Sequence, residues 1–287
     1  MNKLLLILSF FTLALYPKVN AQDSMEEIPG DHFSLEGALE LFKKANSPED
    51  FEKMLNTEGN LVNNLDLNGD GEIDYVRVID RADGDVHAMI LQVAISEDES
   101  QDIGVIEIEK DGKESAILQI IGDEEIYGET KIIEPFEESE IQGDKKDKGP
   151  SVYLAPERII VNVWGWPSVR FVYGPAYRPW VSPWRWRAYP VWFRPWRPHP
   201  LAYMHVHRPR VYVGFHTAPT HRVLHAHSVY TPHRKSSTVV RTKYKVNVDH
   251  RRHHNKVKVT KTTTTVKKQG GTTKVKRTKT TKTVKRK

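Results

Sequence analysis

The chain has 287 residues, 43 Lys+Arg against 37 Asp+Glu, and no cysteine. The missing thiols exclude disulfides, a lipid-modified N-terminal cysteine, thiolate catalysis and Cys-type zinc sites, so core packing or bound metal must hold the fold. The net charge of +6 conceals two opposed halves: residues 1–150 carry 13 basic and 35 acidic side chains, and residues 151–287 carry 30 and 2.

The chain opens with Lys3 ahead of an apolar run over 4–15, too short to span a bilayer but long enough for a signal-peptide core. Tyr16-Pro17 break the run and Val19-Asn20-Ala21 offer small residues for cleavage. Residues 1–21 are therefore expected to be a signal peptide, with Gln22 starting an exported chain destined for the periplasm, cell surface or medium. No later stretch has the length and apolarity of a transmembrane helix.

Residues 22–136 read as an acidic α+β domain. Ser34 caps a first helix whose apolar positions Leu35, Ala38, Leu39, Phe42 and Ala45 share one face, and Ser47-Pro48-Glu49-Asp50 starts a second. From Glu72 the apolar period changes to two. Residues 73–79, 87–95, 103–109 and 115–121 read as strands, 87–95 with the alternation of a half-buried one, with turns at Asp83-Gly84 and Asp111-Gly112 and an edge strand within 125–135. Two short helices on one face of an antiparallel meander is the fold expected.

Residues 137–150 read as a charged linker. A hairpin over 158–164 and 168–173 is expected about Gly165-Trp166-Pro167, within an aromatic, Pro- and Arg-rich segment spanning 151–200. Its seven prolines from Pro175 to Pro200 forbid regular helix, so an extended ribbon is the natural form. Residues 201–287 are His-rich, then rich in Lys, Arg and Thr, and read as a largely disordered basic tail, although the halves about Gly270-Gly271 have the alternation of a hairpin.

The sharpest motif lies at 66–74. Asp66, Asn68 and Asp70 stand at positions 1, 3 and 5 of a calcium loop, Glu72 offers a carbonyl at 7, Asp74 stands at 9, and Gly71 permits the sharp turn. Over these nine residues the chain resembles the calcium loops of EF-hand and dockerin proteins. It departs at position 12, where Arg77 replaces the bidentate acid, and it runs into a strand, as loops of integrin-type β-propellers do. The resemblance implies a structural Ca2+ site; an Asx-rich turn without metal is the alternative.

Three histidine pairs, His205/His207, His225/His227 and His253/His254, have nothing in the sequence to hold them together, and read as polar sequence before metal sites. No GxSxG, HExxH or phosphate-cradling loop is present, so no catalytic residue is assigned and the chain reads as a non-enzyme. Trp180, Trp184, Trp186, Trp192 and Trp196 are interleaved with Arg185, Arg187, Arg194 and Arg197. Indoles stack on sugars and bases, and guanidinium groups pair with phosphate and carboxylate, so polysaccharide, lipopolysaccharide and extracellular nucleic acid all fit, without sequence specificity. The same residues could instead wrap the chain's own domain.

The run Val161-Asn162-Val163-Trp164-Gly165-Trp166-Pro167-Ser168-Val169-Arg170, with Pro179-Trp180-Val181-Ser182-Pro183-Trp184, resembles exported proteins of Bacteroidota that share this order of segments. That resemblance implies no activity. The reading is an exported, non-enzymatic binding or scaffolding protein: a calcium-stabilised acidic domain presenting a basic aromatic arm to anionic envelope or matrix polymers. The rival readings are a structural protein whose arm packs on its own domain or on other copies, and an unrecognised enzyme.

Overall fold

The computed structural model describes residues 27–138, 158–208, 214–254, 256–269 and 272–285. The expected signal peptide, and residues 139–150 of the expected linker, lie outside them. The chain is α+β, built on an antiparallel sheet.

Local chemistry explains the first elements. Ser34 Oγ accepts the Gly37 N–H at 3.0 Å and starts helix α1, Leu35–Lys44. Ser47 Oγ accepts the Asp50 N–H at 3.1 Å, and Pro48 begins helix α2, Pro48–Leu55. Phe42 and Phe51 meet edge-to-face at 5.2 Å and lock the two helices together. The strands follow as β1, Val76–Asp83; β2, Val86–Ala94; β3, Ser100–Gly112; and β4, Ser115–Gly122, paired in sequence order. The β1–β2 turn centres on Gly84, at φ +57°, and Asp85; the β3–β4 turn falls at Lys113-Glu114. Both lie one or two residues beyond the Asp-Gly pairs that were expected to make them. An extended Asp111-Gly112 continues β3 instead, with a bulge there.

The expected edge strand over 125–135 is a short helix followed by a strand. Asp123 caps α3, Glu124–Tyr127, and β5, Lys131–Glu138, pairs with β4. On its outer edge β5 carries two short strands end to end, β6, Arg158–Ile160, and β7, Phe215–Thr217. The expected hairpin about Gly165-Trp166-Pro167 is absent. Pro167 occupies the first turn of helix α4, Pro167–Val172, because its fixed φ suits a helix start as well as a turn. Val169 and Val172, one turn apart, are buried in the core.

Both faces of the sheet are covered, which the sequence reading did not foresee. One face bears α1, α2 and α4 over a core that includes Leu39, Phe51, Val78, Leu91, Ile106 and Val169. The other meets residues 215–237, where Ala218, Val223 and Tyr230 pack on Ala88, Ile90, Val105 and Ile121. Strand β2 is therefore buried along almost its whole length, not half-buried. Its alternate positions Ala88 and Ile90 are buried because a second layer lies on them.

Much of the segment expected to be a tail packs on the domain, part of it in that second layer and part on the first core. Helix α5, Leu201–His207, buries Met204; α6, Leu224–Tyr230, buries Ala226 and Tyr230; and α7, Thr238–His254, places Val240, Tyr244 and Val248 one turn apart along one face. Residues Lys256–Gln269 and Thr272–Lys285 pair antiparallel as β8 and β9, a separate two-stranded ribbon.

The edge of β1 is capped by the Trp/Pro/Arg segment. The Asp80 N–H donates to the Trp180 carbonyl at 2.7 Å, and the Ser182 N–H to the Val78 carbonyl at 3.1 Å. Prolines on either side prevent the ladder from extending. Glu52 of α2, only 2% exposed, ties this edge together. It accepts the Val78 N–H at 2.8 Å, the Tyr75 and Ser182 hydroxyls at 2.9 Å each, and the Trp180 indole N–H at 3.4 Å. Burial raises its carboxyl above the usual range, and these donors oppose the rise.

Replacing Glu52 by Ala strands several buried donors and is expected to cost about 3 kcal/mol or more. Glu52→Gln retains an acceptor and should cost less. Denaturant melts followed by tryptophan emission check both, since release of 180–196 from the β1 edge shifts emission to the red.

Candidate functional site

Three places gather side chains with chemistry. The first is the loop at 66–74. Asp66 accepts the N–H groups of Gly69 at 2.6 Å, Asp70 at 3.1 Å and Gly71 at 3.0 Å, while Asn68 Oδ1 accepts from Asp70 and Asp70 Oδ1 from Glu72. Gly69 and Gly71 hold φ +80° and +85°, the left-handed conformation that lets the backbone curl this tightly. Asp74 is buried, and its Oδ2 accepts the Leu67 N–H at 2.6 Å. Burial pushes its carboxyl up to about 7, with the charges of Asp66 and Asp70 adding to the rise. Ile73 anchors the loop, being buried itself and donating its N–H to the Trp196 carbonyl at 2.8 Å. Helix α7 crosses the loop: the Tyr244 hydroxyl donates to the Asp66 carbonyl at 2.9 Å, and the Lys243 ammonium stands directly against Gly69.

The second place is the Trp/Arg segment, whose two residue types part company. Trp180 packs on the core and reaches Glu52; the Trp184 carbonyl accepts from Arg77 at 3.2 Å; the Trp196 carbonyl receives Ile73. The unforeseen anchor is Phe193, 3% exposed, with its ring 4.9 Å from that of Tyr75 and 5.9 Å from that of Trp196. Trp192 remains 44% exposed, with the Lys53 ammonium 5.9 Å from its ring centre. Arg185, Arg187, Arg194 and Arg197 are all exposed, and the Arg187 guanidinium lies 4.5 Å above the Trp186 ring. Trp180 and Phe193 anchor the segment by their rings, Trp184 and Trp196 by their carbonyls; the guanidinium groups form an outward basic rim.

The third place is the second sheet face, which carries buried polar groups. On β3, the Glu107 side chain is fully buried and takes two imidazoles, one on each oxygen: His221 Nε2 lies 2.6 Å from Oε2 and His227 Nδ1 lies 2.7 Å from Oε1. Burial pushes the Glu107 carboxyl up to about 9, with Glu109 adding to it. Burial lowers both histidines, and His227 lowers His221 further. The sequence offered His225/His227 as a pair with no acid nearby. The structure separates them, leaving His225 exposed and turning His227 onto Glu107 beside His221. The outward pair His205/His207 sits on α5 without joining this cluster.

Near this cluster, Asp102 is also fully buried. It accepts from the Gln92 amide at 2.8 Å, the Lys235 N–H at 2.8 Å and the Tyr230 hydroxyl at 3.1 Å. Burial pushes its carboxyl up to about 6 against those bonds, and Asp123 adds to the rise.

Among the described residues, no helix is long and apolar enough to cross a membrane. No protein-family model, curated protein or solved structure matches this chain.

Because its folded value is raised, Asp102 destabilises the folded state once ionised, as pH rises from about 4 to above 6. Asp102→Asn imitates the protonated acid. Relative to wild type it should gain stability across that window, by about 1.4 kcal/mol at most per unit of raised pKa, and the two proteins should converge below pH 4. Melts of both proteins over a pH series check this; a difference that stays constant with pH would contradict it.

Proposed function

We propose that this is an exported, non-enzymatic binding and scaffolding protein that holds anionic polymers of the envelope or matrix against a rigid basic rim. The observation that carries the reading is the division of labour at 180–197: Trp180 packed on the core and Phe193 buried hold the segment to the domain, and Arg185, Arg187, Arg194 and Arg197 are exposed along it. Guanidinium groups on an immobile support lose less conformational entropy on binding phosphate or sulfate than those of a free arm. The partner class is a polysaccharide, lipopolysaccharide head group or extracellular nucleic acid, recognised by charge and without sequence readout. The exposed ring of Trp192 adds stacking for a sugar or base.

Ca2+ at 66–74 belongs to the same reading. The oxygen ligands would be Asp66, Asn68, Asp70, the Glu72 carbonyl and Asp74, with the ion stiffening the loop from which β1 starts. It would have no switching role, since no mobile helix pair is attached.

A second reading is favoured by the inward Trp side chains. They would serve only the fold, and the protein would be a structural element packing on itself or on other copies. Changing the four rim arginines to Gln separates the readings. Binding to heparin and to duplex DNA, followed over a salt series, should weaken, and the salt slope on DNA should fall by roughly one for each phosphate no longer neutralised. Wild-type binding in that variant would leave the structural reading in place.

For the loop, Ca2+ added to chelator-treated protein should raise the melting temperature, by about 2.7 kcal/mol of stabilisation at a hundredfold excess over Kd. Asp70→Ala should remove the shift. Identical melts in calcium and in chelator would mean that turn chemistry alone shapes the loop.

A further inference from the structure

The Glu107 cluster belongs neither to the loop nor to the rim, and its geometry is that of a built site. Three ligand atoms, one from each of Glu107, His221 and His227, lie within 4.8 Å of one another. The carboxylate comes from a central strand, buried to 0% exposure, while the imidazoles arrive from the layer above, 19% and 39% exposed. We propose that Glu107, His221 and His227 form a binding site for a first-row transition metal ion, Zn2+ in the first instance, completed by solvent at the open side.

The ligand chemistry selects the metal. Two imidazoles and one carboxylate suit zinc and its neighbours, whereas Ca2+ and Mg2+ favour oxygen donors throughout. Three protein ligands and an open position match the pattern of zinc sites that retain a water. The spacing also fits. A tetrahedral ion with bonds of about 2.0–2.1 Å separates its ligands by roughly 3.4 Å. The present contacts of 2.6 and 2.7 Å need to open by less than 1 Å. Rotation of the two partly exposed imidazoles supplies that movement without disturbing the strand.

The supports on either side are rigid. His221 sits between two backbone groups held by one side chain: the Gln119 amide donates to the Thr220 carbonyl at 3.0 Å, and its oxygen accepts the Arg222 N–H at 2.7 Å. Gln119 is fixed in turn by Glu134, at 2.6 Å. His227 rides on α6, whose start is held by Glu109, which accepts the N–H groups of His225 at 2.7 Å and Ala226 at 3.0 Å. Both imidazoles are thus positioned by groups on the sheet, the arrangement that keeps a metal site from losing affinity to ligand disorder.

The test uses the whole exported chain, stripped of metal. Zn2+ is titrated calorimetrically, and Co2+ is added in parallel to read coordination from its visible absorption. One saturable equivalent with a tetrahedral or five-coordinate Co2+ spectrum is expected. His227→Gln alters only the most exposed ligand and should fold; it should lower Zn2+ affinity at least about tenfold. Glu107→Gln and His221→Gln should do the same, while His205→Gln/His207→Gln should leave that equivalent unchanged. Zn2+ should also raise the melting temperature of wild type and not of His227→Gln. The assignment is overturned if folded His227→Gln and Glu107→Gln bind Zn2+ as wild type does, or if wild type has no saturable site. Neither result bears on polyanion binding at the rim.

Discussion

The carboxylate of Glu52 is the point at which helix, strand and proline-rich segment meet. An open sheet edge exposes unpaired N–H and C=O groups and invites pairing with other chains. Here a segment that cannot form a ladder covers the edge of β1 with two main-chain hydrogen bonds around Trp180 and Ser182. So few bonds are a weak hold, and Glu52 reinforces them from below by receiving donors from both partners. Next to it, the Asn56 amide bonds both backbone groups of Val76, at 2.7 and 2.8 Å, so α2 grips β1 at successive points. The orientation of the arginine rim is inherited from this clasp.

The opposed charges of the two halves have an internal use. Arg222 pairs with Glu134, Arg234 with Asp123 and Arg251 with Asp31, each joining the basic half to the acidic one. The sheet face beneath residues 215–237 is polar, with Gln92, Asp102, Glu107, Gln119 and Glu134 all buried. A face of that kind is costly to bury against apolar side chains, and its cover is accordingly rich in His, Arg and Tyr. The polarity that makes the covering possible also creates the metal-ligand geometry.

Some of this was legible in the residues and some was not. Helix caps and strand periods declared themselves because Ser34, Ser47 and the alternation along 87–95 act through local chemistry. The packing of the basic half was hidden. Val240, Tyr244 and Val248 keep helical spacing, but the basic residues around them argue for a solvated chain. Val223, Ala226 and Tyr230 lie among histidines and a proline. Their burial depends on partners more than a hundred residues earlier, which no local period records. The same holds for Glu107: on β3 it reads as one of many surface acids, and His221 and His227 read as scattered histidines. The loop at 66–74 was visible because the residues that shape its turn are contiguous.

The link between the residues just before α1 and helix α7 has a kinetic meaning. Arg251 bonds Asp31, and the Asn247 amide donates to the Glu27 carbonyl, each across 220 residues of sequence. Such contacts require closure of very long loops, and that entropic cost is met before the contacts return anything. The N-terminal meander can form its own hydrogen bonds early. Its polar face, however, stays wet until residues near 230 arrive, and its edge stays open until residues near 180 arrive. A chain synthesised or translocated from its N-terminus therefore remains incompletely folded until nearly all of it has emerged, and a block late in emergence would leave an aggregation-prone intermediate with one uncovered sheet face.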